Sequence, residues 1–298
     1  MTLLLCCMLL SACAAESLQQ QTVQKEKTYT VPKITLPKAS RRSQSDHAML
    51  YFDGLLADRA CVKNGLVYIS PESICDYYGV EIAVSTTPTS FEISGTDLYM
   101  SGSTDNEYLQ ANYRYLYTPE KFVIEDGRVY LSKAVIERVF GVKVTVFGDP
   151  VQVELSTDGI SLIQGGADYY AVNYSSEDLF WLPRIIYAET KDQPMAGLIA
   201  VGNVVHNRLE HEQFPDTVFE VIFDNQHAVQ FTPAATGAVL DDPDERSIVA
   251  AYLCLEGYNT AGESLYFVNP DKGASRWFEE KLQFVCTIGD HDFYTSGA

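Results

Sequence analysis

A lone acidic side chain stands in the apolar stretch LPRIIYAETKDQPMAGLIAVGNVVHNRL, residues 182–209. Leu182, Ile185, Ile186 and Glu189 are spaced i, i+3, i+4 and i+7, so on an α-helix they share one face. Three of the four are apolar. That face should turn inward and leave Glu189, at its end, partly out of water. Desolvation disfavours the charged form and raises a carboxyl pKa. A carboxylic acid that keeps its proton near neutrality can act as a general acid, for example toward a glycosidic oxygen. The competing reading has Glu189 ending the helix in water, paired with Lys191.

Other constellations offer less. His206 and His211 in HNRLEHE are five residues apart, roughly 140° round a helix, and cannot share a face. No Gly-rich phosphate loop, C-x-x-C pair or G-x-S-x-G elbow occurs. No metal and no cofactor is expected. A glycosidase using two carboxylates would need a second acid about 5–9 Å from the first. Asp224, Asp241 and Asp242 are available, and the sequence singles out none of them.

The elements that must position Glu189 are legible. Ser175, with Asp178 three residues on, forms a capping box at a helix start. Pro183 then either kinks that helix or stands in its first turn. The segment from Pro194 to Leu209 is apolar on nearly all sides, as a buried central helix would be.

The 298 residues suffice for two ordinary domains. The net charge of −19 argues against a phosphate-binding surface, so no nucleic-acid partner is expected. At the N-terminus, MTLLLCCMLLSAC reads as an export signal. Leu10-Ser11-Ala12-Cys13 resembles a bacterial lipobox, which implies cleavage before Cys13 and lipidation of its thiol. No Lys or Arg precedes the apolar run, and ordinary cleavage after Ala14 is the alternative. Residues 14–46 are rich in Gln, Lys, Ser, Thr and Pro, with six basic and three acidic side chains, and read as a flexible tether. Cys61, Cys75, Cys254 and Cys286 could form two disulfides in an exported chain or remain free thiols; spacing does not choose.

An internal repeat follows. KNGLVYISPESICDYYGVEIAV (63–84) aligns without a gap with EDGRVYLSKAVIERVFGVKVTV (125–146). Each copy predicts an Asx-Gly hairpin turn, a strand, a Ser-capped short helix, a Gly stop and another strand. This unit resembles the copper amine oxidase N-terminal-like repeat of exported Gram-positive proteins. No copper site is expected, since the region offers only His47. A stalk or binding module, with a possible protein partner, is implied. The intervening YLQANYRYLYTPEKF could stack tyrosines on sugars or, the favoured reading, pack them between strands.

The C-terminal part resembles the core of the spore-cortex-lytic, SleB-like cell wall hydrolases. The resemblance is carried by IIYAE (185–189), GLIAVGNVVHNRL (197–209), FPDTVFEVIF (214–223), QFTP (230–233), LYFVNP (265–270), Trp277 and IGDHDFY (288–294). It runs from 178 to 294 and departs from the family after the acid, where Thr190, Lys191 and Asp192 stand. The two resemblances together imply an α+β multidomain chain, with a tandem β-α-β repeat domain at 47–157 and a mainly α, lysozyme-like domain at 172–298. The implied activity is cleavage of peptidoglycan glycan strands by lytic transglycosylation, with Glu189 as catalytic acid. Gln230, Phe231, Thr232, Tyr266, Asn269, Trp277 and His291 would bind substrate. For Phe231 and Trp277 a place in the core is the competing reading. With the lipidated Cys13, the implied location is the outer face of the cell membrane or the wall.

Overall fold

The computed structural model describes residues 47–157, 159–165, 175–225, 231–272 and 275–297. The export signal, the tether, Cys13 and Gln230 lie outside the described residues.

Strands β1 (His47–Phe52), β2 (Leu55–Lys63) and β3 (Leu66–Ile69) form a meander, followed by α1 (Pro71–Tyr78) and β4 (Ile82–Thr86). Next come β5 (Ser90–Gly95), β6 (Tyr99–Ser103), β7 (Tyr108–Ala111) and β8 (Arg114–Tyr117). The second repeat supplies β9 (Val123–Glu125), β10 (Arg128–Ser132), α2 (Lys133–Phe140) and β11 (Lys143–Phe147), with β12 (Gln152–Ser156) after it. Both Asx-Gly turns hold positive φ on both residues, 53° and 79° at Asn64-Gly65 and 51° and 78° at Asp126-Gly127. This geometry matches the twist of the flanking strands.

The two copies then diverge. One seven-stranded sheet has the order β11-β12-β1-β2-β3-β10-β9, and a five-stranded sheet the order β4-β5-β6-β7-β8. The strand after α1 therefore opens a separate meander, whereas the strand after α2 returns to the first sheet. The caps diverge too. Ser70 Oγ accepts from the Glu72 N–H at 3.2 Å, but Ser132 makes no cap bond. Its Oγ is buried without a hydrogen-bond partner among the described residues. The first core reaches past the expected 157 boundary: Ile163 is buried in it and its N–H donates to Val139 O at 2.8 Å.

The C-terminal part holds α3 (Ser176–Thr190), α4 (Met195–Leu209), α5 (Val218–Phe223), α6 (Thr232–Thr236) and α7 (Glu245–Leu255). They are followed by β13 (Tyr266–Val268), α8 (Ser275–Lys281), β14 (Leu282–Ile288) and β15 (His291–Ser296). Helices dominate this part, and an antiparallel sheet β13-β15-β14 completes it. Overall the chain is mixed α and β.

Helix α4 is the buried axis, with Leu198, Ile199, Val201, Val204 and Val205 fully enclosed. Gly202 lets α7 approach: a methyl there would lie 2.5 Å from Cys254 Sγ and 3.0 Å from Ile186 Cδ1. Cys254 is thus a packing group, and its thiol donates to Ile199 O at 3.4 Å. Cys61, Cys75, Cys254 and Cys286 are thiols and not disulfides, the second of the two options open in the sequence. No helix among the described residues is long and apolar enough to cross a membrane.

The tyrosine-rich stretch joins the two parts. Tyr115 stacks on Tyr252 at 5.7 Å and Tyr117 meets Tyr258 edge-on at 6.0 Å. Between them lies Glu256, whose side chain is 1% exposed. Arg114 grips its carboxylate through Nε at 2.8 Å and Nη2 at 2.5 Å, and Arg138 Nη2 adds a third donor at 2.5 Å. Packing, the favoured reading for these tyrosines, describes Tyr115 and Tyr117; Tyr113 stays 71% exposed.

Candidate active site

The capping box forms as its residues demand. Asp178 N donates to Ser175 Oγ at 3.1 Å, and Ser175 N to Asp178 Oδ2 at 2.8 Å. Pro183 lies inside α3 and leaves the Leu179 carbonyl without its helical donor. Leu182, Ile185 and Ile186 are buried on the inner face. Glu189 follows on that face in the last turn. Burial pushes its carboxyl up to about 7, against a weaker opposing pull from the Lys272 cation. The cation whose charge acts on it is Lys272, and Lys191 makes no such contribution. No acidic residue contributes to the shift.

Lys272 arrives from a distant, locally ordered turn. Asn269 Oδ1 accepts from Asp271 N at 3.0 Å, and Lys272 N donates to Asn269 O at 3.1 Å. Asn269 thereby shapes the turn that presents Lys272. The approach to β13 is tied to α4. Asn203 Nδ2 donates to Tyr258 O at 2.8 Å, and Asn207 Nδ2 donates to Gly262 O and Ser264 O at 2.8 and 2.9 Å. Arg208 Nε donates to Leu265 O at 2.7 Å. The Arg208 guanidinium lies 4.8–5.4 Å from the rings of Phe214, Phe231 and Tyr266, and burial pushes its pKa down to about 10.

His291 opens β15 and is 5% exposed. Burial, then Lys272, hold its imidazole below the ordinary value, opposed by Asp290 and Asp292. Phe267 meets it edge-on at 5.3 Å, and Nδ1 has no hydrogen-bond partner among the described residues. Glu189 and His291 thus share Lys272 as a charged neighbour. Tyr266 and Asn269 stand on the segment that leads to Lys272.

Phe231 needs correction as a substrate-binding candidate, and for Trp277 the competing core reading fails. Phe231 is fully buried, against Phe267 and the Arg208 cation, and has no ring face for a ligand. Trp277 is no core residue: it is 56% exposed on α8 beside Phe278. Thr232 is exposed at the start of α6. Among the second carboxylates, Asp242 is held by Arg184 at 2.9 Å, on a face of α3 roughly 140° from Glu189. Asp224 caps the end of α5 on the Arg208 side, and Asp241 is exposed. Two cavities, of about 470 Å³ beside Asp97 and Asn112 and about 180 Å³ beside Arg184 and Tyr252, do not reach Glu189. The site is marked by desolvation and converging elements, not by either cavity.

Sequence reasoning missed Lys272, Gln193 and Arg208. Only Arg208 left a signal, as a charged residue in an otherwise apolar helix.

The family described as Cell Wall Hydrolase matches residues 192–294, beginning three residues after Glu189. The chain is 34% identical over 120 residues to a spore cortex-lytic enzyme of Oceanobacillus iheyensis, covering 40% of this chain and 42% of the relative. It is 32% identical to the Bacillus subtilis spore cortex-lytic enzyme, covering 38% of it. The match thus spans less than half of these curated relatives. Among solved structures, the catalytic domain of the germination-specific lytic transglycosylase SleB from Bacillus anthracis is 32% identical, with a TM-score of 0.38, covering 41% of this chain and 98% of that one. The catalytic domain of Bacillus cereus SleB is likewise 32% identical, with a TM-score of 0.38, covering 44% of this chain and 99% of that one. Residues 192–294 thus form a C-terminal domain that matches the cell wall hydrolase family. Within that family it is SleB-like.

Proposed function

We propose that this protein degrades peptidoglycan by cleaving the bond between N-acetylmuramic acid and N-acetylglucosamine, as a lytic transglycosylase with one catalytic carboxyl, Glu189. The observation that carries the reading is a carboxylic acid kept protonated to about pH 7 by burial, on the helix that bears the family's YAE motif. Glu189 gives its proton to the glycosidic oxygen as the bond breaks. The resulting carboxylate takes the proton of the muramic C6 hydroxyl as that oxygen attacks C1, and a 1,6-anhydro end forms. Lys272 steadies the carboxylate between the two transfers. No second carboxylate is required, in keeping with the engagement of Asp242 by Arg184 on another face. A hydrolytic muramidase or glucosaminidase, and an inactive wall-binding protein, are the competing readings.

In this reading Thr232, Tyr266, Asn269, Trp277, His291 and Gln230 line the glycan path, and the exposed Trp277 offers a stacking face. Cys13 is lipidated and holds the protein outside the membrane, the tether spans toward the wall, and the repeat region is a copper amine oxidase N-terminal-like module. The similarity of the relatives, enzymes named for the spore cortex, supports wall glycan as the substrate class. Glu189→Gln tests the assignment: purified wall should stay intact while the variant remains folded. Undiminished digestion by that variant would remove Glu189 from the mechanism.

A further inference from the structure

The connection between α3 and α4 is only four residues long and is gripped from three sides. Lys191 reverses the chain at φ 34° and ψ −98°, a strained conformation for a residue with a side chain. Two residues on, Gln193 makes a two-point contact with the β14–β15 turn. Its Oε1 accepts from Asp290 N at 2.9 Å and its Nε2 donates to Asp290 Oδ2 at 2.9 Å. Arg246 of α7 holds the Gln193 carbonyl at 2.8 Å. The turn is shaped to receive this amide. Gly289 stands at φ +57°, and a methyl there would lie 2.0 Å from Gln193 Oε1. On its other side, Thr287 Oγ1 donates to Asp292 Oδ1 at 2.6 Å.

The residues joined in this way matter. Gln193 is four positions after Glu189, and Asp290 immediately precedes His291. We propose that Gln193 is a positioning residue, whose side-chain amide fixes the turn carrying His291 against the end of the helix carrying Glu189. It touches neither substrate nor proton. It sets the spacing of the two walls of the site, and the catalytic part of this inference rests on the reading of Glu189 given above. Its polarity is specific: the site needs an acceptor for a backbone N–H beside a donor for a carboxylate, and an amide supplies both.

The test uses the full chain. Gln193→Ala removes both contacts and should lower kcat about tenfold to a hundredfold, since an ångström of misplacement has that effect. The KM for soluble glycan fragments should change by less than about twofold. Gln193→Glu sets two carboxylates against each other and should be at least as damaging. Combining Gln193→Glu with Asp290→Asn restores an acceptor for the N–H and a donor–acceptor pair of reversed sense, and should recover most of the rate. A second measurement does not depend on activity. Imidazole titration of His291 by NMR should give a value below the ordinary one in the wild type, rising in Gln193→Ala as the turn opens to water. The groups facing that imidazole, Lys272, Asp290 and Asp292, are unchanged in that variant. Unaltered kcat in Gln193→Ala, failure of the double variant to recover, or an unmoved His291 titration would each overturn the proposal. A wild-type chain inactive on wall would defeat the reading of Glu189 instead, and the titration would still decide whether Gln193 fixes the turn.

Discussion

Glu189 gives up its proton at about pH 7, against 4.5 for an ordinary carboxyl. Its working form as an acid is the protonated one. The rate of glycan cleavage should therefore be sustained below pH 7 and fall about tenfold per unit above it, which a pH–rate profile on soluble glycan fragments checks. Stability carries the same sign. Below 4.5 the group is protonated folded or unfolded, and burial is without penalty. As pH rises from 4.5 to 7 the unfolded chain ionises first, so stability is lost through that window and stays low above it. Glu189→Gln removes the penalty. The variant should be more stable than the wild type at pH 8, by on the order of 2 kcal/mol, and equal to it at pH 4, as urea denaturation at the two pH values will show. A variant that is both inactive and more stable would be the mark of an acid held in place for function.

The element scale is where the sequence was most and least legible. Period-3.6 spacing put Leu182, Ile185, Ile186 and Glu189 on one face, and they share it, because a helix is a local object. The Asx-Gly turns and the helix-ending Gly79 and Gly141 were legible for the same reason. Lys272 and Gln193 were not. Lys272 reaches Glu189 across 83 positions, and Gln193 meets Asp290 across 97. Neither contact leaves a periodic trace. The fate of the strand after each short helix was equally hidden, since sheet membership is a long-range matter. Phe231 shows the converse limit: a motif residue beside a site can serve the site only by filling the core under it. Close packing of α4 on α7 supplies a prediction at this scale. Gly202→Ala drives a methyl into Cys254 and Ile186 and should destabilise the fold by about 1–3 kcal/mol, read as a lower Tm. A partial offset by Cys254→Ala would show that the clash is with that thiol.

At the scale of the whole molecule, a buried charge cluster joins the repeat region to the helical part. Glu256 is enclosed and accepts from Arg114 and Arg138, both from the repeat region. Replacing one member of a buried ion cluster removes the shared counter-charge, so Glu256→Ala should lower stability by about 3 kcal/mol in denaturant titration. A fragment of residues 175–297 would uncover Tyr252, Tyr258 and Glu256 together, and should melt at a lower temperature than the full chain. The products of the reaction proposed for Glu189 are the most direct witness to it. Mass spectrometry of the fragments released from purified peptidoglycan should give muropeptides with 1,6-anhydro-muramic ends, lighter by one water than reducing ends, and none with Glu189→Gln. Reducing ends from the wild type would contradict the single-carboxyl account.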